Sequence, residues 1–336
     1  RAGPVRMRRP RAGPAPVRPW SRAARVPVIL WPGPIAPVAC PSLEGMRFAH
    51  VVLPGGDSPT LVLVDGDEAT PVVALVPDGP RTLEQLIAGG DTLRNAVSAA
   101  AAGGAGADAR VRIADVSFAP AVLTPPSIMA IGLNYSAHAG EPNLKTDDPP
   151  TVFTLRPNSL AAQDGTTTWS RALSEAVDYE AELGVIIGRP ARDVSEEDAL
   201  DYVFGYTVVN DITARNVQYS EAQWCRAKSF DGFTPAGPYV VTADEVPDPQ
   251  DLHIWTVLDG HTMQDSTTAT MVRSVAKLIA HLSHGITLLP GTLISTGSPG
   301  GSGYSRTPQV LMRDRSTVTV GIDGIGELTT HCRVVD

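Results

Sequence analysis

The sequence predicts an α+β fold in which short strands outnumber helices. From residue 47 onward, short alternating segments such as FAHVVL (48–53) and TLVLVDG (60–66) are separated by Gly and Asp turns. The segment PVVALV (71–76) continues this pattern and predicts a third strand. Residues 82–102 instead have the apolar spacing of one or two helices, and Thr82 stands in the N-cap position.

The chain is expected to comprise three segments. Residues 1–45 hold eight arginines, ten prolines and a single acid without any sustained period, which predicts a disordered Arg/Pro-rich extension. Residues 46–120 form a small N-terminal α+β domain, in which His50 is a surface or core histidine rather than a ligand. Residues 125–336 form the larger domain that carries the chemistry.

Composition excludes several classes of function. Apolar residues make up 43% of the chain, and no run approaches the roughly 20 apolar residues of a membrane span, so we expect a soluble protein. The net charge is −9 although the first segment is basic, so the acidic remainder argues against nucleic-acid binding. Three cysteines, at positions 40, 225 and 332, make no C-x-x-C spacing and fit a reducing cytoplasm.

A row of acidic residues stands at the centre of the larger domain, in DYEAELGVIIG (178–188). Side chains alternate along a strand, so Asp178, Glu180 and Glu182 are expected on one face. The following apolar residues predict a strand buried on both faces, where unpaired charge is costly. A divalent cation would resolve this conflict if a third oxygen ligand joined Glu180 and Glu182, and Asp211 is the candidate.

Both parts of this hypothesis have an ordinary alternative. An acidic strand face is also typical of a solvated sheet edge. Asp211 stands between a strand-like segment and a helix-compatible one, which is also the place of an N-cap aspartate.

Three further polar residues are candidates for catalysis. His138 and Glu141 are three residues apart, so one helical turn would place them in contact, as a proton-transferring pair or as an ordinary surface pair. Lys228, in KSFDGF, would stabilise a carboxylate or a developing enolate, or would be an exposed lysine.

The sequence resembles the fumarylacetoacetate hydrolase (FAH) family over about residues 128–335. The resemblance lies in five blocks that occur in order: GLNYSAHAGE, DYEAELGVIIG, GYTVVNDITARNVQ, KSFDGFTPAGPYVV and PGTLISTGSP. It implies an FAH-type mixed β-sandwich or β-roll catalytic domain, a homodimer, and Mg²⁺ or Mn²⁺ held by Glu180, Glu182 and Asp211. It assigns water activation or proton transfer to His138 and Glu141, and substrate contacts to Arg215, Gln218, Thr296, Gly297 and Ser298.

One position departs from the family pattern. Relatives commonly carry a lysine where Leu155 stands, and the neighbouring Arg156 is expected to point to the opposite strand face. The resemblance therefore does not identify, at this position, the cation that would bind the anionic group of the substrate.

The predicted function is that of a metal-dependent enzyme of the FAH family. We expect a hydrolase or lyase that acts on the C–C bond of an acylpyruvate- or oxaloacetate-like 2-oxo acid through a metal-stabilised enolate. The alternatives are an isomerase of 2-hydroxymuconate-like dienoates, a hydratase or dehydratase of 2-oxo acids, and a catalytically silent dimeric binding protein. The sequence leaves the exact substrate open, as well as the choice between Mg²⁺ and Mn²⁺.

Overall fold

Strands form most of the regular structure. The computed structural model describes residues 45–136 and 148–336, so the predictions for residues 1–44 and for His138 and Glu141 lie outside it. In chain order the strands are β1 Arg47–Val52, β2 Thr60–Asp65, β3 Glu68–Pro71, β4 Val111–Arg112, β5 Ser117–Phe118, β6 Ile128–Gly132, β7 Thr151–Leu155, β8 Leu160–Ala161, β9 Gly165–Ser170, β10 Val177–Asp178, β11 Ala181–Ile187, β12 Val203–Asn210, β13 Thr213–Ala214, β14 Thr234–Thr242, β15 His253–Leu258, β16 His261–Thr267, β17 Leu293–Ser295, β18 Thr317–Ile322 and β19 Gly326–Val335.

The helices are short. They are α1 Val72–Leu75, α2 Leu83–Ala88, α3 Gly90–Ala102, α4 Arg215–Ser220 and α5 Val275–Ser283. The predicted N-cap at Thr82 is confirmed, because its side chain accepts a hydrogen bond from the backbone N–H of Gln85. Across the described residues, no helix has the length and apolar character that crossing a membrane would require.

The prediction of a strand over PVVALV is wrong. The structure has helix α1 there, with Val72 and Leu75, three residues apart, buried on one side. A short apolar run does not distinguish a strand from a buried helical turn, and here packing decides.

A large mixed sheet carries the candidate site. Its strands run in the order β4-β3-β2-β1-β14-β12-β11-β17-β6-β7, with β5 paired to β1 and β8 paired to β14. Strand β1 pairs antiparallel with β14, so the strands of residues 46–120 continue the same hydrogen-bonded sheet as the later strands. A separate N-terminal domain over 46–120 stays a prediction.

A second sheet packs on the first. It contains five strands in the order β16-β15-β18-β19-β9. Leu183 and Tyr206 of the large sheet share one buried apolar cluster with Ile254 and Val320 of the small sheet. The predicted α+β fold with a mixed β-sandwich is confirmed.

His50 joins three segments of the N-terminal part. It is fully buried, its Nδ1 lies 3.1 Å from the carbonyl oxygen of Ala121, and its Nε2 accepts a hydrogen bond from the backbone N–H of Leu83 at 3.0 Å. Because Nε2 is an acceptor, the ring is neutral, with its proton on Nδ1. His50 is thus a core histidine, and burial lowers its pKa below the ordinary value of 6.5.

We expect His50 to make the folding stability depend on pH. Below 6.5 the unfolded chain takes up a proton while folded His50 stays neutral, so acidification favours unfolding. His50→Gln should lose roughly 1–3 kcal/mol near pH 7.5 through lost hydrogen bonds, and its difference from the wild type should shrink towards pH 5. Urea unfolding at several pH values tests this, and a constant difference would contradict it.

Candidate metal centre

Pairing of β11 with β12 brings the acidic segments together. Glu182 lies opposite Val209 in this antiparallel ladder, so Asp211 follows directly at the end of β12. The backbone N–H of Asp211 donates to the carbonyl oxygen of Glu180 at 2.9 Å. The register of this ladder therefore places Asp211 close to Glu180 and Glu182, although these residues are far apart in sequence.

The acidic row is not one continuous strand. Strand β10 ends at Asp178 and β11 begins at Ala181, because the backbone N–H of Glu180 bonds to the side-chain oxygen of Asn210, at 3.1 Å, instead of to a neighbouring carbonyl. Asp178 pairs with Thr213 of β13. Glu180 therefore lies in the break between β10 and β11.

The three predicted ligands converge in the interior. Glu180, Glu182 and Asp211 each offer a carboxylate oxygen within 4.8 Å of the other two, and they are 8%, 1% and 0% exposed. A solvated sheet edge is therefore excluded. Asp211 is not an N-cap either, because Ala214 precedes helix α4.

Two buried cations contact this group. The Lys228 ammonium donates to Glu180 Oε2 at 2.6 Å and also to Asp211 Oδ2, so the alternative of an exposed lysine is wrong. The Arg215 guanidinium binds Glu180 Oε1 at 2.7 Å and Asp178 at 2.8 Å. Both oxygens of Glu180 therefore have a cationic partner.

Glu182 and Asp211 have fewer partners. Glu182 Oε2 accepts hydrogen bonds from Ser295 Oγ at 2.6 Å and from the backbone N–H of Gly297 at 2.8 Å. Asp211 Oδ1 is buried without a hydrogen-bond partner in the part of the chain that the structure describes. An unpaired buried carboxylate oxygen is costly and is available to a ligand.

The pKa values reflect this arrangement. Burial, followed by the charges of Asp211 and Glu180, raises the pKa of Glu182 well above its usual range. Burial also raises the pKa of Asp211, to about 6, against the opposing effect of Lys228. Burial would raise the pKa of Glu180 as well, but Arg215 and Lys228 outweigh it and lower this pKa to about 2.

The buried charges do not balance. When all groups are ionised, four carboxylates, those of Asp178, Glu180, Glu182 and Asp211, contact two cations within residues 45–136 and 148–336, namely Arg215 and Lys228. One doubly charged cation would neutralise the cluster, and oxygen-only ligands are what Mg²⁺ and Mn²⁺ prefer. The residues present therefore fit such an ion.

Of the predicted substrate contacts, Arg215 and Gly297 touch the carboxylates, and several of the five are engaged in hydrogen bonds within the protein. Arg215 Nη1 donates to Gln218 Oε1 at 3.0 Å, and the Thr296 hydroxyl donates to the carbonyl oxygen of Leu183. Ser298 Oγ accepts from the side-chain amide of Gln264. Their roles towards a substrate stay predictions.

Sequence reasoning missed three supporting residues. Asp178 was grouped with the other acids, but it is the counterion of Arg215 and also accepts the backbone N–H groups of Gly303 and Tyr304. Ser295 orients Glu182, and Asn210 orients Glu180. Only the spacing of Asp178 in the acidic row gave a signal, and it did not reveal which cation Asp178 meets.

The expected orientation of β7 is confirmed. Leu155 is buried, whereas Arg156 is exposed, so Arg156 does not replace the lysine that the family resemblance implies for position 155. Phe153, on the same face as Leu155, has its ring centroid 5.4 Å from the Lys228 ammonium. The wall of the centre at Lys228 is thus aromatic and apolar.

Together these features define a class of protein: a two-sheet α+β fold with a buried, oxygen-rich site suited to a hard divalent cation. A family model described as fumarylacetoacetate (FAA) hydrolase C-terminal matches residues 127–334. The chain belongs to the fumarylacetoacetate hydrolase family. A curated relative from Burkholderia lata is 42% identical over 237 residues, which cover 67% of this chain and 84% of the relative.

Solved structures agree with this membership. A fumarylacetoacetate hydrolase from Exiguobacterium antarcticum is 31% identical with a TM-score of 0.76, covering 86% of this chain and 100% of that one. A maleylpyruvate hydrolase from Sphingobium sp. SYK-6, in complex with manganese(II) and pyruvate, is 29% identical with a TM-score of 0.71, covering 87% and 100%. A 2-hydroxyhepta-2,4-diene-1,7-dioate isomerase from Mycobacterium marinum is 30% identical with a TM-score of 0.66, covering 86% and 98%. The family thus includes hydrolases and isomerases.

Replacing Glu182 with glutamine should separate metal binding from folding. Burial and the charges of Asp211 and Glu180 disfavour the ionised form of Glu182 when no metal is bound, so the neutral side chain of Glu182→Gln should leave the metal-free midpoint of thermal unfolding equal to or above that of the wild type. Mn²⁺ at a hundred times its Kd should stabilise the wild type by about 2.7 kcal/mol and leave Glu182→Gln unchanged.

The matched control for this measurement is Glu221→Gln, since Glu221 pairs with Arg226 at the surface. It should respond to Mn²⁺ as the wild type does. Equal stabilisation of Glu182→Gln by Mn²⁺ would remove Glu182 from the metal site.

Proposed function

We propose that this protein is a divalent-metal-dependent hydrolase or decarboxylase that cleaves a C–C bond of a 2-oxo or 2,4-dioxo acid, such as an acylpyruvate- or oxaloacetate-like substrate. The observation that carries the proposal is the convergence of three buried carboxylates, in a cluster whose excess negative charge, counted over the described residues, equals the charge of one divalent cation. The hydrolase in complex with manganese(II) and pyruvate supports it, because pyruvate is itself a 2-oxo acid.

In this proposal Glu180, Glu182 and Asp211 would hold Mg²⁺ or Mn²⁺. When bound, the ion would supply Lewis-acid polarisation of the substrate's carboxylate and 2-oxo oxygens and stabilise negative charge that develops on them. The buried ammonium of Lys228 would orient the anionic end of the substrate and offset its charge. Further contacts with the substrate would come from Arg215, Gln218, Thr296, Gly297 and Ser298.

Proton transfer is assigned to His138 and Glu141 on the strength of the family resemblance. Glu141 would polarise His138, whose imidazole could then take a proton from water near neutral pH. Water activated in this way would hydrolyse an acylpyruvate, whereas decarboxylation would need only protonation of the remaining carbon.

Isomerisation of 2-hydroxymuconate-like dienoates is the second candidate. The Mycobacterium marinum isomerase supports it, because the same two-sheet architecture carries that activity.

Assembly as a homodimer and a cytoplasmic location are also proposed. The dimer rests on the resemblance, and the location rests on cysteine usage, with Cys225 and Cys332 both free thiols.

A panel of 2-oxo acids should identify the reaction. We expect metal-dependent turnover of an acylpyruvate or an oxaloacetate-like acid, followed by ultraviolet absorbance and by product mass with Mg²⁺, Mn²⁺ or chelator. Two smaller products with added water indicate hydrolysis, loss of carbon dioxide indicates decarboxylation, and an unchanged mass indicates isomerisation. Turnover that persists in chelator would contradict the proposal.

His138→Ala should abolish turnover and leave the Mn²⁺ Kd unchanged. We expect a decrease in kcat of about 10²-fold or more, the range for loss of a general base. His261→Ala, in the exposed β15–β16 hairpin, is the control and should retain full activity. Normal turnover by His138→Ala would exclude His138 from the mechanism.

A further inference from the structure

The Lys228 ammonium is positioned on the carboxylates that the metal would use. It donates to Glu180 Oε2 at 2.6 Å and to Asp211 Oδ2, and its side chain is only 2% exposed. A lysine that contacts two carboxylates is stabilised in its charged ammonium form, because each carboxylate supplies a counter-charge. A full positive charge therefore lies within the candidate site.

Each carboxylate oxygen of Glu180 already contacts one cation. Its Oε1 binds Arg215 at 2.7 Å, and its Oε2 binds Lys228. A divalent ion could share an oxygen with one of these cations only at a separation of roughly 4 Å, where like charges in a buried site repel strongly. One of the two cations must therefore move away when a metal binds.

The geometry indicates which cation moves. Arg215 is fixed by a second carboxylate, Asp178, to which Nε donates at 2.9 Å, and by Gln218. Lys228 has no carboxylate partner other than Glu180 and Asp211 among the described ion pairs, and it has a flexible four-carbon side chain. Lys228 is thus the cation that a metal would displace.

We propose that Lys228 is a built-in competitor for the divalent cation, and that an anionic ligand relieves this competition. Displaced from Glu180 and Asp211, the buried ammonium needs a new counter-charge, because an unpaired charge in the interior is costly. A 2-oxo acid carboxylate at the centre would supply that charge. Metal and substrate would then bind cooperatively through Lys228, a coupling that rests on the function proposed above.

This proposal predicts that removing Lys228 from the site strengthens metal binding instead of weakening it. Lys228→Met removes the competitor and should tighten Mn²⁺ binding by about tenfold or more, since truncating one partner of a buried charge pair is strongly unfavourable for the remaining charges. If Lys228 only supported the ligands structurally, the same change would weaken binding. Mn²⁺ affinity can be measured without turnover, from the electron paramagnetic resonance signal of the free ion.

Cooperativity is tested by repeating the titration with saturating pyruvate. By linkage, pyruvate should tighten Mn²⁺ binding in the wild type about fivefold more than in Lys228→Met. Direct chelation of Mn²⁺ by pyruvate is common to both proteins and cancels in this ratio. Equal coupling in both would overturn the release of Lys228, even if Lys228→Met binds Mn²⁺ more tightly.

Two further variants guard against misfolding and non-specific charge effects. Lys228→Gln keeps an N–H donor for Asp211 while removing the charge, so it should fold more readily and still tighten Mn²⁺ binding. Arg226→Met, two residues away, removes an exposed cation that pairs with Glu221 and should leave the Mn²⁺ Kd within about twofold, as expected for a weak surface pair.

Unchanged or weaker Mn²⁺ binding in both Lys228 variants would overturn the competitor role. If neither the wild type nor any of the variants binds Mn²⁺, the proposed function itself fails. If the wild type binds Mn²⁺ tightly but the Lys228 variants do not bind it more tightly, only the competitor role of Lys228 is refuted and the proposed function stands.

Discussion

The central constraint on this structure is a buried cluster, around Glu180, Glu182 and Asp211, in which negative charges outnumber positive ones. Among the residues that the structure describes, four buried carboxylates meet two cations, Arg215 and Lys228. Such an arrangement opposes folding unless a further cation compensates it, because buried charges are costly when they are unpaired. Proteins commonly retain this kind of cost where a functional site requires it.

The surrounding backbone keeps the carboxylates together despite their repulsion. The β11–β12 ladder fixes Glu182 relative to Asp211, and the Asn210 side chain fixes Glu180 at the interruption between β10 and β11. On the other side, Ser295 and Gly297 donate to Glu182. The site is therefore supported by rigid elements, which is the condition under which ligands keep a fixed geometry.

The three carboxylates differ in charge environment, and this difference bears on chemistry. Glu180 is stabilised as an anion by Arg215 and Lys228, whereas burial and mutual repulsion oppose ionisation of Glu182 and Asp211. A metal that binds all three would gain most free energy at Glu182 and Asp211, whose negative charges are less fully compensated than that of Glu180. Metal and protons therefore compete mainly at Glu182 and Asp211.

The sequence by itself determined the α+β class, the family and the identity of the three converging acids, because strand alternation and ordered motifs are local properties of the chain. It did not determine that PVVALV forms helix α1, since a short apolar run has no period that separates strand from helix. Nor did it determine that Lys228 contacts Glu180 and Asp211, or that Arg215 is held by Asp178. Those contacts join segments brought together only by sheet register, so their charges and distances were decided by the tertiary structure.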